Sequence, residues 1–250
     1  GKAVFEQDLP FGTYYIKELA APDGFVSSDE QIEVTAKYQG QEVKTVKLET
    51  VFRNAPTTTE FTKSDITTGV ELDGATLTIL DSDGKEVEKW TSVKGKAHVI
   101  KRLHVGKTYT LREEFAPYGY LQAEEVKFTV SDTAEVQKVE MKDAVPVGRI
   151  IINKKGEFVK EVTWKDMLAG GMDAAFGYLT GSLKDVTFEI YAAEDIKAAD
   201  GESSDYYKKD ELVATITTDA LGYARSEDLP LGKYYVKEKE TEILRRYPDI

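Results

Sequence analysis

The chain has 250 residues with 33 Lys plus Arg against 45 Asp plus Glu, a formal charge of −12, no cysteine and two histidines. That composition excludes a disulfide framework, a zinc knuckle, an iron–sulfur cluster and a thiol nucleophile, leaves little for a His-rich metal or triad site, and gives no electrostatic footprint for nucleic acid. The longest apolar runs fall far below the ~18 residues of a membrane span, so no membrane partner is expected for this segment, and a start at Gly1-Lys2 without a leader reads as a processed product or a window of something longer.

A phrase of small residues, a glycine before an aromatic-rich strand and a closing glutamate recurs three times. The first copy runs from Gly1-Lys2-Ala3 to Leu9-Pro10-Phe11-Gly12-Thr13-Tyr14-Tyr15-Ile16-Lys17-Glu18 and leads into the turn Ala21-Pro22-Asp23-Gly24. A Pro-containing joint, Asn54-Ala55-Pro56-Thr57, precedes a strand with period two, Ala75-Thr76-Leu77-Thr78-Ile79-Leu80, and the turn Asp81-Ser82-Asp83-Gly84. The second copy runs from Gly95-Lys96-Ala97 to Leu103-His104-Val105-Gly106-Lys107-Thr108-Tyr109-Thr110-Leu111-Arg112-Glu113. It is followed by the turn Ala116-Pro117-Tyr118-Gly119 and the alternating strand Glu124-Glu125-Val126-Lys127-Phe128-Thr129-Val130. Beyond a second joint, Val145-Pro146-Val147-Gly148, come the strand Glu211-Leu212-Val213-Ala214-Thr215-Ile216-Thr217 and the third copy. That copy runs from Gly222-Tyr223-Ala224 to Leu229-Pro230-Leu231-Gly232-Lys233-Tyr234-Tyr235-Val236-Lys237-Glu238.

The closing glutamates lie 95 and then 125 positions apart, so the third unit carries about 30 extra residues. They fall at 156–185, a small-and-aromatic stretch with Trp164, Met167, Gly170, Gly171, Met172, Phe176, Gly177, Tyr178 and Gly181. Short strands at this spacing, with no long helical periodicity outside 156–185, predict an all-β chain of tandem sandwiches. The two joints divide it into 1–56, 57–146 and 147–250.

Side chains at i, i+2 and i+4 of a strand share a face, which assigns the charged residues to rows. Tyr109, Leu111 and Glu113 form one row; Tyr14, Ile16 and Glu18 form another, and Tyr234, Val236 and Glu238 a third, so three apolar rows each end in a carboxylate. Phe61 shares a row with Lys63, and Ile150 and Ile152 with Lys154. Val139 and Met141 align with Asp143, as Val46, Leu48 and Phe52 do with Asn54. An amine, a carboxyl and a second carboxyl or amide are therefore expected on inward rows of the first, a central and the last strand. Burial raises a carboxyl pKa and lowers that of a lysine, the condition for a neutral amine nucleophile beside a protonated acid. Lys63 could then attack the side-chain carbonyl of Asp143 while Glu113 polarises it and shuttles protons, releasing water and leaving an amide. With Asn54 as acceptor the same chemistry would release ammonia. A buried, unreacted salt bridge is the competing reading.

The runs Glu18-Leu19-Ala20-Ala21-Pro22-Asp23-Gly24-Phe25 and Glu113-Glu114-Phe115-Ala116-Pro117-Tyr118-Gly119-Tyr120 closely resemble the glutamate and Ala-Pro-x-Gly-Tyr box of Cna B-type domains. These are the prealbumin-like repeats of Gram-positive collagen adhesins and SpaA-type pilins. Leu9-Pro10-Phe11-Gly12, Thr62-Lys63-Ser64-Asp65, Trp90-Thr91-Ser92 and Met141-Lys142-Asp143 are similar too, and the resemblance covers the chain apart from 156–185. It implies an intramolecular isopeptide bond between a first-strand lysine and a last-strand Asn or Asp, promoted by the box glutamate. The middle unit, 57–146, holds the full set Lys63, Glu113 and Asp143. The first, 1–56, is the C-terminal part of such a domain, with Glu18 and Asn54 but its partner lysine upstream. The third, 147–250, has Lys154 and Glu238 but lacks its last strand and acceptor, and Glu238 is followed by Lys239-Glu240-Thr241-Glu242 without the Ala-Pro-x-Gly turn.

The function implied is a structural stalk segment of a cell-surface adhesin or pilin, at the cell wall or surface of a Gram-positive bacterium. It is not an enzyme beyond single-turnover self-crosslinking, uses no cofactor, and has neighbouring domains of the same protein as its partners. The alternative is an adhesive module whose 156–185 insertion contacts a host extracellular-matrix protein or glycan; against it stands a short helix or hairpin covering an edge of its own sandwich. A glycosidase with paired carboxylates is the third class, but no pair has a pocket signature. His98 and His104 have no third ligand in view, so no metal is expected, and Asp81-Ser82-Asp83-Gly84 reads as a hairpin turn in preference to a calcium loop. Leu9-Pro10-Phe11-Gly12-Thr13 has Gly-Thr where a sortase signal has Thr-Gly and opens a strand, so it reads as structure.

Overall fold

Alternating apolar and polar residues with abundant Thr, Val and Tyr place most of the chain in strands, and no helix occurs among the residues that the computed structural model describes, 1–166 and 172–239. Two units are distinguished: Gly1–Pro117 with Gln122–Asp143, and Tyr118–Leu121 with the residues from Ala144 onward.

In the first unit, β1 (Gly12–Lys17) and β2 (Gln31–Ala36) form an antiparallel pair. Seven further strands follow: β3 (Thr58–Asp65), β4 (Thr76–Leu80), β5 (Glu86–Thr91), β6 (His98–Lys101), β7 (Thr108–Phe115), β8 (Val126–Thr129) and β9 (Val136–Asp143). They make two sheets, one ordered β6-β3-β9 and the other β5-β4-β7-β8. The two share one core, with Phe61, Ile100, Val139 and Met141 from the first meeting Leu77, Ile79, Tyr109, Leu111 and Phe128 from the second. This is a β-sandwich whose inward rows are the ones the parity of the sequence marks. The turn between β4 and β5 is a hairpin closed by Asp81, whose carboxylate accepts from Asp83 N at 3.0 Å and Lys85 N at 2.9 Å. The pairing of β3 and β9 sets the geometry of the candidate site: the first and last strands of the sandwich lie side by side and parallel, with Lys63 opposite Met141 and Asp65 opposite Asp143.

One expected strand is absent. Residues 37–55, which include the alternating run to Asn54, carry no strand, and Leu48 is exposed. The last strand of the sandwich, β9, is held by backbone bonds to β3, and residues 1–56 contain no counterpart of β3 to supply them. The inward row of β1 is open for the same reason: Ile16 is exposed and Glu18 half-buried.

In the second unit, β14 (Thr187–Ala192) lies between β15 (Leu212–Thr217) and β18 (Tyr234–Glu238). Facing them, β10 (Val147–Gly148) pairs with β17 (Leu229–Pro230), and β11 (Ile151–Asn153) pairs with β16 (Tyr223–Arg225). Phe188, Ile190, Ile216, Ala224 and Leu229 form the core, with Ile150 and Ile152 packed against it. The insertion is a long hairpin, β12 (Lys155–Asp166) and β13 (Met172–Ser182), whose strands pair only with each other among the described residues. Its register shifts between Val159 and Glu161. Gly181 lets the Phe158 ring lie across the partner strand, since a Cβ there would be 2.9 Å from that ring. Met167, Gly170 and Gly171 lie outside the described residues.

Leu111 is fully buried between the two sheets of the first unit, whereas Val99 on β6 is exposed. Leu111→Ala is expected to lower the unfolding free energy of this sandwich by about 2–5 kcal/mol and Val99→Ala by less than about 1, as read from denaturant unfolding.

Candidate functional site

Lys63 lies on the inward row Thr59, Phe61, Lys63, Asp65 of β3 and is 3% exposed. Asp143 ends the inward row of β9 at 0% exposure, and Glu113 ends that of β7, in the facing sheet, at 1%. The sandwich therefore brings one amine and two carboxyls together across its two layers. Lys63 Nζ donates to Asp143 Oδ1 and lies 3.0 Å from Glu113 Oε1, a charge contact without hydrogen-bond alignment. Glu113 Oε2 accepts from Ala123 N at 2.7 Å. Asp143 Oδ2 is buried with no hydrogen-bond partner.

If all three groups were ionised, this buried trio would carry a net negative charge, so the environment favours a proton on one acid. Asp143 is shifted in that direction. Its pKa is pushed up from 3.8 to about 6, first by burial and further by the nearby Glu113, while the Lys63 amine opposes the rise. Transfer of the shared proton along the Nζ–Oδ1 hydrogen bond converts the ion pair into a neutral amine against a carboxylic acid. In that state the amine lone pair can attack the carboxyl carbon, and Glu113 is the nearest group able to take and return a proton.

Three neighbours that the sequence reasoning missed hold this arrangement. Asp65 is buried two residues beyond Lys63, and its Oδ1 accepts from Thr67 N at 2.6 Å and Thr68 N at 2.9 Å, closing the turn after β3. Asp65-Ile66-Thr67-Thr68-Gly69, an aspartate two residues before a Thr-Thr-Gly run, is an Asx-turn pattern, so its role was legible. Gln122 donates from its side chain to Glu113 O, and Ala123 holds the Glu113 carboxyl through its backbone. Nothing in residue type marks those two.

The outer sets are partial. Asn54 Nδ2 donates to Glu18 Oε2 at 2.6 Å and to Val26 O at 3.2 Å, in a half-buried setting. Lys154 Nζ donates to the exposed Glu238 at 2.6 Å. Neither pair has a third reactive group beside it among the described residues. His98 stacks on Trp90 with ring centroids 4.2 Å apart and contacts Glu88 at 2.7 Å, and the His104 backbone N donates to Tyr109 Oη at 3.2 Å. Among the described residues no group of three or more His, Asp or Glu is placed to hold a metal, and no helix is long and apolar enough to cross a membrane.

The family model for the SpaA prealbumin-like fold domain matches residues 1–50, 57–145 and 179–243. A comparison with curated proteins returned no match. Among solved structures, the Bacillus anthracis TIE protein is 27% identical, with 94% of this chain and 37% of that one covered and a TM-score of 0.44. This chain thus spans about a third of that protein's length. The C-terminal domain of the shaft pilin SpaA from Lactobacillus rhamnosus GG is 21% identical over 36% of this chain and 98% of that one, with a TM-score of 0.32. The group B streptococcus pilus 2b backbone protein is 15% identical over 52% of each chain, with a TM-score of 0.35.

A carboxyl whose pKa is higher in the folded than in the unfolded chain stabilises the fold fully below its unfolded value, and that contribution is lost as pH rises through the folded value. For Asp143 the window runs from about 4 to about 6. In a Glu113→Gln background, which leaves Lys63 and Asp143 in place and removes only the smaller, Glu113 part of the rise, the protein with Asp143 should still lose more stability between pH 4 and pH 7 than its Asp143→Asn counterpart. Parallel denaturant curves for the two proteins would show instead that Asp143 titrates as an exposed carboxyl.

Proposed function

The chain belongs to the family of SpaA prealbumin-like fold domains, and on that premise we propose that it is a stalk segment of a Gram-positive cell-surface adhesin or pilin, stabilised by an autocatalytic isopeptide bond between Lys63 and Asp143. The observation that carries this reading is the buried contact of Lys63 Nζ with Asp143 Oδ1, with Glu113 beside the amine. The neutral amine attacks Cγ of the protonated Asp143, and Glu113 accepts a proton from the nitrogen and returns it to the departing hydroxyl. One C–N bond forms, one C–O bond breaks and one water leaves. Glu113 ends as it began, while Lys63 and Asp143 are consumed, so the chemistry occurs once per chain.

The partners in this reading are the neighbouring domains of the same surface protein. Tension that enters β3 from its N-terminal end and leaves β9 at its C-terminal end crosses the sandwich where the two strands lie parallel. A covalent bond there carries the load past the 80 positions separating Lys63 from Asp143. Glu18 with Asn54 and Lys154 with Glu238 are partial sets of the same chemistry.

A second reading, an adhesive module binding a host matrix protein or glycan through 156–185, is favoured by one observation. Phe176 and Tyr178, on one face of the hairpin, are 53% and 59% exposed. Alanine replacement of both should abolish retention on matrix-protein or glycan arrays if that reading holds and leave it unchanged if it does not.

Intact-mass measurement decides the principal reading. The protein should be lighter than its sequence mass by one water, and Lys63→Ala or Glu113→Ala should remove that deficit; an unmodified mass in the parent chain ends the proposal. Under single-molecule extension the parent sandwich should resist unfolding beyond the crosslink. The Glu113→Ala protein should release about 280 Å of additional contour for the 80-position span.

A further inference from the structure

The Ala-Pro-Asp-Gly-Phe turn after Glu18 is the part of the repeated phrase that the crosslinking reading leaves without a task. In this structure it is seated against the next sandwich. Gly24 has φ +80°, and a Cβ there would meet Arg102 O at 2.5 Å and Arg102 Cβ at 2.8 Å, so only glycine fits. Arg102 itself has φ +69°, uncommon for a residue with a side chain, and its N donates to Thr57 O at 2.9 Å. Its guanidinium lies 4.8 Å from the centre of the Phe25 ring. Thr57 N donates to Gly24 O at 3.1 Å, and Thr57 Oγ1 donates to Leu103 O at 2.6 Å. Val26 N donates to Ala55 O at 2.8 Å, Phe25 bridges to Pro56, and Ser27 N donates to Asp132 Oδ1 at 2.9 Å.

These contacts surround Asn54. Its side-chain amide donates to Glu18 at one end of the turn and to Val26 O at the other, and its following residue accepts from Val26 N. The turn between Glu18 and Val26, the two residues to which Asn54 donates, is itself clamped onto Arg102 and Thr57.

We infer that Arg102 and Thr57, which belong to the following sandwich, are positioning residues for the preceding domain's crosslinking half-site: they receive the Gly24-Phe25 turn and thereby hold Asn54 on Glu18. This rests on the reading of Glu18 and Asn54 as such a half-site. The consequence is a coupling between modules: the folding of the next sandwich, which takes up the turn, steadies the acceptor of the domain before it.

The test uses the full chain labelled with ¹⁵N. In the parent protein the Asn54 side-chain amide resonances should shift as Glu18 is protonated, and the Val26 and Thr57 amides should exchange slowly. Gly24→Ala and Arg102→Ala should each abolish the coupled shift and speed exchange at Val26 and Thr57 by roughly tenfold or more. Arg102→Lys, which keeps a cation for the Phe25 ring, should retain most of both. Asp132→Ala, on the surface, removes only the Ser27 contact and should give a smaller loss in the same signals, which keeps the test open if Gly24→Ala does not fold. Parent-like shifts and exchange in both Arg102→Ala and Asp132→Ala would overturn the inference. The intact mass is read in parallel. Loss of the NMR signature with the one-water deficit unchanged supports the joint. A parent chain with no deficit defeats the crosslinking reading while leaving the clamp of Asn54 to be judged on its own resonances.

Discussion

The central constraint on the first unit is one lysine amine enclosed with two carboxyls between two apolar sheets. Removing an ion from water costs several kcal/mol even after the protein relaxes, and the mutual attraction of the buried partners offsets this only when geometry is good and the remaining atoms are hydrogen-bonded. Here Glu113 Oε2 meets that condition through Ala123 N, whereas Glu113 Oε1 and Asp143 Oδ2 have no hydrogen-bond partner. An arrangement that leaves a carboxyl oxygen bare in a dry interior is poor as a permanent salt bridge. An uncharged amide in place of the pair would leave no charge to bury.

Placing the trio required the particular topology seen. Lys63 and Asp143 come from neighbouring parallel strands, and Glu113 reaches them from the opposite sheet. A parallel pair needs a long connection between its members, and the whole of β4 to β8 serves as that connection. On the proposed stalk reading, the same topology would make a bond between β3 and β9 mechanically useful, since the first and last strands of the sandwich are adjacent. Where the parallel pair is missing, as in residues 1–56, the inward row opens to solvent and the corresponding carboxylate and amide are only half-buried.

The rows of the site were readable in the sequence because strand parity is a local property: Phe61 with Lys63, Leu111 with Glu113 and Met141 with Asp143 each need only a count of two. That these rows converge is a property of the fold, and the threefold phrase was the signal for it. The failures have physical causes. The run from Val46 to Asn54 puts Val46, Leu48, Phe52 and Asn54 on one row, yet a shared row gives a strand only where a neighbour accepts its backbone bonds, and residues 1–56 contain no counterpart of β3. Asp65 was quoted only within Thr62-Lys63-Ser64-Asp65, although the Ile66-Thr67-Thr68-Gly69 run after it marks a turn. Ala123 contributes a backbone N–H, which no residue type advertises.

The joint shows how repeats of one fold come to differ. The phrase that places Arg102 before Leu103 places Asp228 before Leu229 in the third copy. Asp228 cannot offer a cation to an aromatic ring, and it is engaged by Arg149. Tyr120 follows Gly119 as Phe25 follows Gly24, but the copy after it carries an anion at the position from which Arg102 reaches the Phe25 ring. Cores of repeated domains are constrained alike, because each must bury the same rows. The residues that receive the preceding turn are constrained only by the neighbour they meet. Successive modules that share a sandwich are for that reason not interchangeable, and their order along the chain is written in the few side chains at each joint.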